Sequence, residues 1–240
     1  MLELFLSSLP TARLLLIVAP VTAVYVLLVA GLAGHLRTRR NVRTAYTRKI
    51  FHFFVITAAG VAHLVWRLPG VTVFGTVSTL IVLHAVWRGS GYPLYEALAR
   101  PSDEPHRTTF IIVPLITTAL GGIVTNIFFA SYAFVGYLVC GWGDAVGEPV
   151  GSRWGKHKYR VPSFAGVKAT RSIEGSAAVM LSGSLAAFIG LEAAGIQLPT
   201  ALGVGLACGA AGALVEAVST HGLDNFTTQV AGAAVAWLLL

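Results

Sequence analysis

Long apolar stretches without a charged residue recur along the chain, separated by short polar segments. Residues 14–34, 108–143, 193–215 and 225–240 contain no Asp, Glu, Lys or Arg. Each stretch is near or above the roughly 17–25 residues that a helix needs to cross a bilayer. Backbone groups in lipid must be hydrogen-bonded within the protein, which favours helices. The pattern therefore predicts an all-α fold, a polytopic helical bundle integral to a membrane.

About eight transmembrane helices are predicted, at residues 12–34, 50–67, 70–88, 108–127, 130–146, 173–193, 197–216 and 225–240. The uncharged run 108–143 is too long for one span, so it is divided near residues 126–131. The first span is interpreted as a retained helix, because it lacks a basic leader and exceeds the roughly 7–15 apolar residues of a signal-peptide core. Only 11% of the residues are charged, against about 25% in soluble domains. Residues 1–240 are therefore predicted to form a single transmembrane domain.

The basic residues predict how the spans are oriented. With eight spans and the N-terminus outside, the cytosolic loops 35–49, 89–107, 147–172 and 217–224 hold or border every Lys and Arg except Arg13 and Arg67. Such enrichment is typical of cytosolic loops. We therefore expect a plasma or inner cell membrane, with the active site on the cytosolic face. The net charge of +7 then reflects these loops and an anionic ligand, and no nucleic-acid partner is expected.

Half of the ten acidic residues lie at predicted cytosolic ends of spans. These five residues are Asp144, Glu148, Glu174, Glu216 and Asp224. A carboxylate at bilayer depth costs a few kcal/mol, so such residues usually have a partner or a function. Their convergence beside many Lys and Arg predicts a site for a polyanion and a metal ion. The alternative is a set of interfacial acids that pair with nearby bases and fix the topology.

The segment from Gly143 to Lys158 combines acids with regularly spaced glycines. Asp144 and Glu148 are four residues apart and share a face on a continuous helix. Glycine also stands at every fourth position from 143 to 155, which lets another backbone or a nucleotide approach closely. Pro149 predicts that the span ends near Glu148 and that a short cytosolic helix follows.

Two further segments place charges at helix starts. Lys168 and Arg171 precede the predicted start of a span at Ser172, and a helix N-terminus attracts phosphate. Glu174 in that first turn is either part of a site or a residue that stabilises the helix dipole. Asp224 is either a metal ligand or base, or the N-cap of the last span. The phosphate-binding loop Gly-x-x-x-x-Gly-Lys-Ser/Thr does not occur in the sequence.

Four motifs occur in a fixed order: Arg48-Lys-x-x-His52, Gly143-Asp144 with spaced glycines up to Gly155-Lys156, Arg171-Ser-x-Glu-Gly-Ser176, and Glu216 through Asp224-Asn225. The ordered set resembles the polyprenol kinase family, which includes dolichol kinases and phytol kinases. It is more distantly similar to phosphatidate cytidylyltransferases. The resemblance covers about residues 45–230. It implies an all-helical membrane enzyme that transfers the γ-phosphate of CTP to an isoprenoid alcohol.

The motifs and the resemblance together predict that the transmembrane domain of residues 1–240 is catalytic, and they give a set of expected site residues. Asp144, Glu148 and Asp224 are the expected catalytic residues and Mg²⁺ ligands. Residues expected to bind the nucleotide are Arg48, Lys49, His52, Lys156, Lys168, Arg171, Ser172, Glu174, Gly175 and Asn225. Two positions depart from the family pattern, since Arg171 stands where a lysine is common and Glu148-Pro149 interrupts a run of small residues.

The expected partners are a lipid alcohol, a nucleoside triphosphate and membrane lipids, while the oligomeric state stays open. Two alternative functions also stay open. A cytidylyltransferase would make a CDP-lipid from a lipid phosphate with a similar metal site and basic loop. A transporter would line a path with acids, although transporters commonly place ionisable groups near the bilayer midplane and these lie near one face.

Overall fold

A computed structural model describes residues 6, 8–162, 169–220 and 222–240. Within that part of the chain there are eight α-helices, two short 3-10 turns and one two-stranded hairpin. The helices are α1 (Ala12–Thr38), α2 (Thr44–Arg88), α3 (Pro93–Leu98), α4 (Thr109–Phe128), α5 (Ala133–Trp154), α6 (Ile173–Ala193), α7 (Leu198–Val218) and α8 (Asp224–Leu239). The strands are β1 (Lys158–Val161) and β2 (Ala169–Ser172).

The predicted all-α membrane bundle is confirmed. Most helix boundaries lie within a few residues of the predicted spans, but α5 ends at Trp154 instead of 146 and α2 begins at Thr44 instead of 50. The division of the long uncharged run also agrees, because α4 ends at Phe128 and α5 begins at Ala133 after a 3-10 turn. Five of the helices are long and apolar enough to cross a membrane by length and composition. The number of eight crossings and the outside location of the N-terminus stay predictions.

Helix α2 is broken at Arg67, whose φ of 54° and ψ of −150° are not helical. Pro69 follows two residues later and cannot donate a backbone hydrogen bond. The hydroxyl of Tyr25 in α1 donates to the carbonyl of Phe54, and its ring centroid lies 6.5 Å from that of Phe74. In a straight helix Phe54 and Phe74 would be ~30 Å apart. The two arms of α2 therefore fold back on each other, in agreement with the predicted spans 50–67 and 70–88.

The chain divides into two compact units, Met1–Leu115 and Ile116–Leu240, here called the N-terminal and C-terminal units. The prediction of a single catalytic domain over residues 1–240 stays a prediction. In the N-terminal unit an apolar core of α1, α2 and α3 is bordered by an ion pair of 2.8 Å between Arg107 and Glu96. Arg107 also donates to the carbonyl of Ala99. The two contacts join Arg107 to α3 and to the residue after it.

In the C-terminal unit Gly143, Gly147 and Gly151 of α5 face α6. A Cβ atom at Gly151 would lie 3.4 Å from the Cα atom of Gly175 and 3.0 Å from Oγ of Ser172. A Cβ atom at Gly147 would lie less than 3.0 Å from a methyl group of Val179. Of the two partners that the sequence left open for this glycine ridge, backbone or nucleotide, the structure shows the backbone of another helix.

Pro149 does not end α5, so the predicted stop near Glu148 is wrong. The helix runs on through the proline to Trp154. Glycines on both sides of Pro149 pack against α6, and this continuous contact stabilises the helix across the missing backbone hydrogen bond. The hydroxyl of Ser152 also donates to the carbonyl of Pro149.

Replacing Gly147 by Ala is expected to destabilise the C-terminal unit, because the new methyl group would overlap Val179. Overpacking of this kind costs about 1–3 kcal/mol, which thermal unfolding in detergent would measure as a lower midpoint. Gly203→Ala is the matched control, since a Cβ atom there meets nothing within 4 Å. A second substitution, Val179→Ala, should restore part of the loss. Equal midpoints for the Gly147 and Gly203 variants would contradict the packing role.

Glu96 is expected to make the N-terminal unit sensitive to acid. Burial alone would raise the pKa of Glu96, but the N–H of Gly91 and the guanidinium of Arg107 outweigh it and hold the pKa below its ordinary value. A carboxylate with a lowered folded pKa stabilises the protein above its unfolded pKa, and this contribution is lost as pH falls through the folded pKa. Glu96→Gln should therefore lower the unfolding midpoint at neutral pH and lose its difference from the wild type in acid. Glu104→Gln, on a side chain 63% exposed, should change little at either pH.

Candidate functional site

The hairpin β1–β2 connects α5 to α6 and determines where Arg171 lies. The strands pair antiparallel, with Tyr159 opposite Arg171. The hydroxyl groups of Tyr159 and Ser176 lie 2.6 Å apart, and the N–H of Ile173 donates to the carbonyl of His157. The hairpin is thereby fixed to the first turn of α6. The sequence predicted only a loop here, because strands of four residues rich in charge give little apolar pattern.

Arg171 joins β2 to the end of α7 and the start of α8. Its Nε atom lies 3.0 Å from Oε1 of Glu216, and one terminal nitrogen lies 2.9 Å from Oδ2 of Asp224. The other terminal nitrogen donates to the carbonyl of Ser219 at 3.1 Å. The side chains of Arg171, Glu216 and Asp224 are 12%, 16% and 18% exposed. These four residues are called the Arg171 cluster.

Within the Arg171 cluster one guanidinium pairs with two carboxylates, and hydrogen bonds between such charged groups are short and strong. Arg171 was expected to bind the triphosphate, and the structure instead directs its guanidinium to the protein's own carboxylates. Asp224 is the first residue of α8, whose N-cap is Leu223. The alternative interpretation of Asp224 as the N-cap is therefore wrong.

At the start of α6 two side chains accept hydrogen bonds from backbone N–H groups. Ser172 is the N-cap, 3% exposed, and its hydroxyl accepts from the N–H of Gly175. One carboxylate oxygen of Glu174 lies 2.8 Å from Nδ1 of His157, and the backbone N–H of His157 donates to the same carboxylate at 3.3 Å. Ser172 and Gly175, both expected to bind the nucleotide, are thus buried in the packing against α5. Glu174 lies in the first turn of α6 and bonds to His157, the residue just before β1.

Asp144 and Glu148 are half-buried one helical turn apart on α5. Because α5 is continuous here, the two carboxylates share a face as expected. Among the residues that the structure describes, no group of three His, Cys, Asp or Glu side chains could hold a metal ion. Asp144, Glu148 and Asp224 therefore do not form a ready-made set of three ligands. Magnesium is commonly held by one or two carboxylates, with phosphates and water as its other ligands, so a pair on α5 fits that chemistry.

Asn225 lies in the packing behind Asp224. It is 5% exposed, and its side-chain amide donates to the hydroxyl of Thr118 in α4. The amide of Gln229 donates to the carbonyl of Asn225 at 2.8 Å, one turn along α8. These bonds give Asn225 a role in fixing the start of α8, which positions Asp224.

The remaining expected nucleotide-binding residues are spread over both units. Lys156 is exposed between α5 and β1, and Lys168 lies outside the described residues. Arg48, Lys49 and His52 lie in the second and third turns of α2 in the N-terminal unit, with Lys49 only 3% exposed. Their role in nucleotide binding stays a prediction.

The sequence did not assign a specific role to Glu216, His157 or Tyr159. A signal existed for Glu216, because it is the one ionised side chain within α7 and a carboxylate in an apolar helix needs a partner. The roles of His157 and Tyr159 depend on the hairpin, which the sequence did not predict.

Comparisons with known proteins give one similarity of note. No protein-family model and no solved structure matches the chain. Over 195 residues the chain is 28% identical to a phytol kinase of Synechocystis sp., and the match covers 80% of this chain and 78% of that protein. With the helical membrane fold, this similarity supports a place for the chain in a phytol and polyprenol kinase-like family.

Proposed function

We propose that this protein is a membrane kinase that transfers the γ-phosphate of CTP to an isoprenoid alcohol such as a polyprenol, dolichol or phytol. The observation that carries the proposal is the similarity to a phytol kinase along four fifths of the chain. The half-buried carboxylates of α5 and of the Arg171 cluster support it, because phosphoryl transfer uses carboxylates to hold a metal ion and to accept the proton of the attacking hydroxyl.

The proposed cofactor is Mg²⁺, held by Asp144 and Glu148 directly or through water. When bound, the ion would neutralise charge on the phosphates. Lys156 and Lys168 would bind phosphate oxygens as point charges. Asp144 and Glu148 fit this role because they are half-buried on one helical face. Phosphate and water oxygens would complete the coordination.

The proposed step is an in-line displacement. The alcohol oxygen forms a bond to the γ-phosphorus, and the bond from that phosphorus to the bridging β–γ oxygen breaks, so CDP leaves. The hydroxyl proton passes to the carboxylate of Asp224. Most of the catalysis in such a reaction comes from positioning and charge stabilisation. The protein's part is therefore to hold the hydroxyl and the phosphate in line.

The proposed location is the cytosolic face of a plasma or inner cell membrane. The enrichment of Lys and Arg in loops on one side supports this orientation. The apolar tail of the alcohol would lie between helices, with its hydroxyl at the interface. CTP is soluble, so its binding residues need the aqueous side.

The test is transfer of label from γ-labelled CTP to lipid. Purified protein in detergent, with Mg²⁺ and a panel of isoprenoid alcohols and diacylglycerol, is expected to produce labelled lipid phosphate and an equal amount of CDP. Parallel reactions with ATP, GTP and UTP test the choice of donor. Absence of labelled lipid across all donors and alcohols would overturn the proposal. Release of pyrophosphate with added lipid phosphate would indicate a cytidylyltransferase instead.

Asp144→Asn is expected to lower turnover by at least about 100-fold, because it removes a charged metal ligand while keeping its shape. The thermal unfolding midpoint should stay close to that of the wild type. Glu192→Gln is the control, since Glu192 is exposed near the far end of α6 and its loss should leave turnover unchanged. An Asp144→Asn enzyme with full activity would reject the metal-binding assignment.

A further inference from the structure

We propose that Arg171 is a positioning residue that holds Glu216 and Asp224 side by side, and that it does not bind a phosphate of the nucleotide. The inference rests on the proposed function, because it assigns a task within the same site. It also gives Glu216 a place in the machinery, which the sequence motifs left unassigned.

The first observation is the geometry of the Arg171 guanidinium. All three nitrogens of Arg171 have protein acceptors: Glu216 at 3.0 Å, Asp224 at 2.9 Å and the carbonyl of Ser219 at 3.1 Å. The three acceptors lie at the end of α7, in the turn after it and at the start of α8. A planar fork with five N–H donors suits such a set of converging acceptors. Arg171 thus fixes the α7–α8 connection from outside.

The second observation is the negative charge of the two carboxylates beside the guanidinium. A phosphate that approached Arg171 would also meet the carboxylates of Glu216 and Asp224, each less than 20% exposed. The two carboxylates lie 3.0 Å and 2.9 Å from the guanidinium nitrogens. Their negative charge opposes the approach of a phosphate to the same guanidinium.

The third observation is the attachment of the β1–β2 hairpin to α6. Arg171 lies opposite Tyr159 in the β1–β2 ladder, and the hydroxyl of Tyr159 is 2.6 Å from that of Ser176 in α6. The next residue, Ser172, is the buried N-cap of α6. The backbone on both sides of the guanidinium is therefore held to α6. A fixed strand that bonds two helix ends is suited to orient carboxylates.

Steady-state kinetics of Arg171→Gln and Arg171→Lys test the proposal, with the donor and alcohol for which the wild type is active. A misplaced Asp224 is expected to lower kcat by about 100-fold in the Gln variant, with KM for the nucleotide changed less than about threefold. The Lys variant keeps the charge but cannot bond three acceptors in one plane, so its kcat should lie nearer to the Gln variant than to the wild type. Arg160→Gln removes an exposed charge from the same hairpin and should leave both parameters unchanged.

A double-mutant cycle adds a readout that a phosphate ligand would not give. If Arg171 acts through the carboxylates, Glu216→Gln should lower kcat in the wild type and have little further effect in Arg171→Gln. Additive effects, or a KM raised more than about tenfold with kcat retained, would show that Arg171 binds nucleotide and would overturn the proposal.

Failure of the proposed function is recognised separately, because wild-type protein would then show no transfer with any donor. In that case double-mutant cycles between Arg171 and each of the carboxylates Glu216 and Asp224 are measured with the thermal unfolding midpoint as the readout. Coupling between Arg171 and each carboxylate would retain Arg171 as the residue that holds them. Changes in the unfolding midpoint that are additive for both residue pairs would reject this role of Arg171.

Discussion

Helices α5 and α6 lie so close together that backbone meets backbone, because glycine occupies the contact positions on α5 from Gly143 to Gly151. This close approach sets the position of the N-cap Ser172, and with it the strand β2 that carries Arg171. It also stabilises α5 across Pro149, which carries the helix on to the hairpin. In a membrane, where apolar side chains gain little from leaving lipid, such packing is a main source of helix association. The charged groups of the C-terminal unit depend on an apolar contact made of glycines.

The sequence was informative wherever one physical requirement dominated. Crossing a bilayer demands a long uncharged helix, so the boundaries of α1, α4, α6, α7 and α8 could be predicted within a few residues. The division of the uncharged run near residues 126–131 was correct for the same reason, since 36 residues exceed one crossing. The fold-back of α2 was also predictable, because Arg67 and Pro69 interrupt an otherwise apolar stretch.

Pairing partners were less predictable, because they depend on contacts between distant parts of the chain. Arg171 and Asp224 are 53 positions apart, and nothing in either segment indicates that they bond to each other. A basic residue before a helix start suggests a phosphate site equally well as an ion pair. Ser172, Gly175 and Asn225 stand in suggestive motifs, and the structure buries all three residues in helix packing. The structure adds the partners with which these residues pack, and their expected roles in nucleotide binding stay predictions.

Strand β2 passes into α6 without a linker, since Ser172 is both the last residue of the strand and the N-cap of the helix. Side chains alternate between the two faces of a strand, so one inserted or deleted residue between positions 169 and 173 would turn the guanidinium away from α7 and α8. Evolution can exchange residues at this junction but cannot change its length without separating strand and cap. Among homologues the spacing from residue 171 to the helix start should consequently be invariant, even where the residues themselves differ.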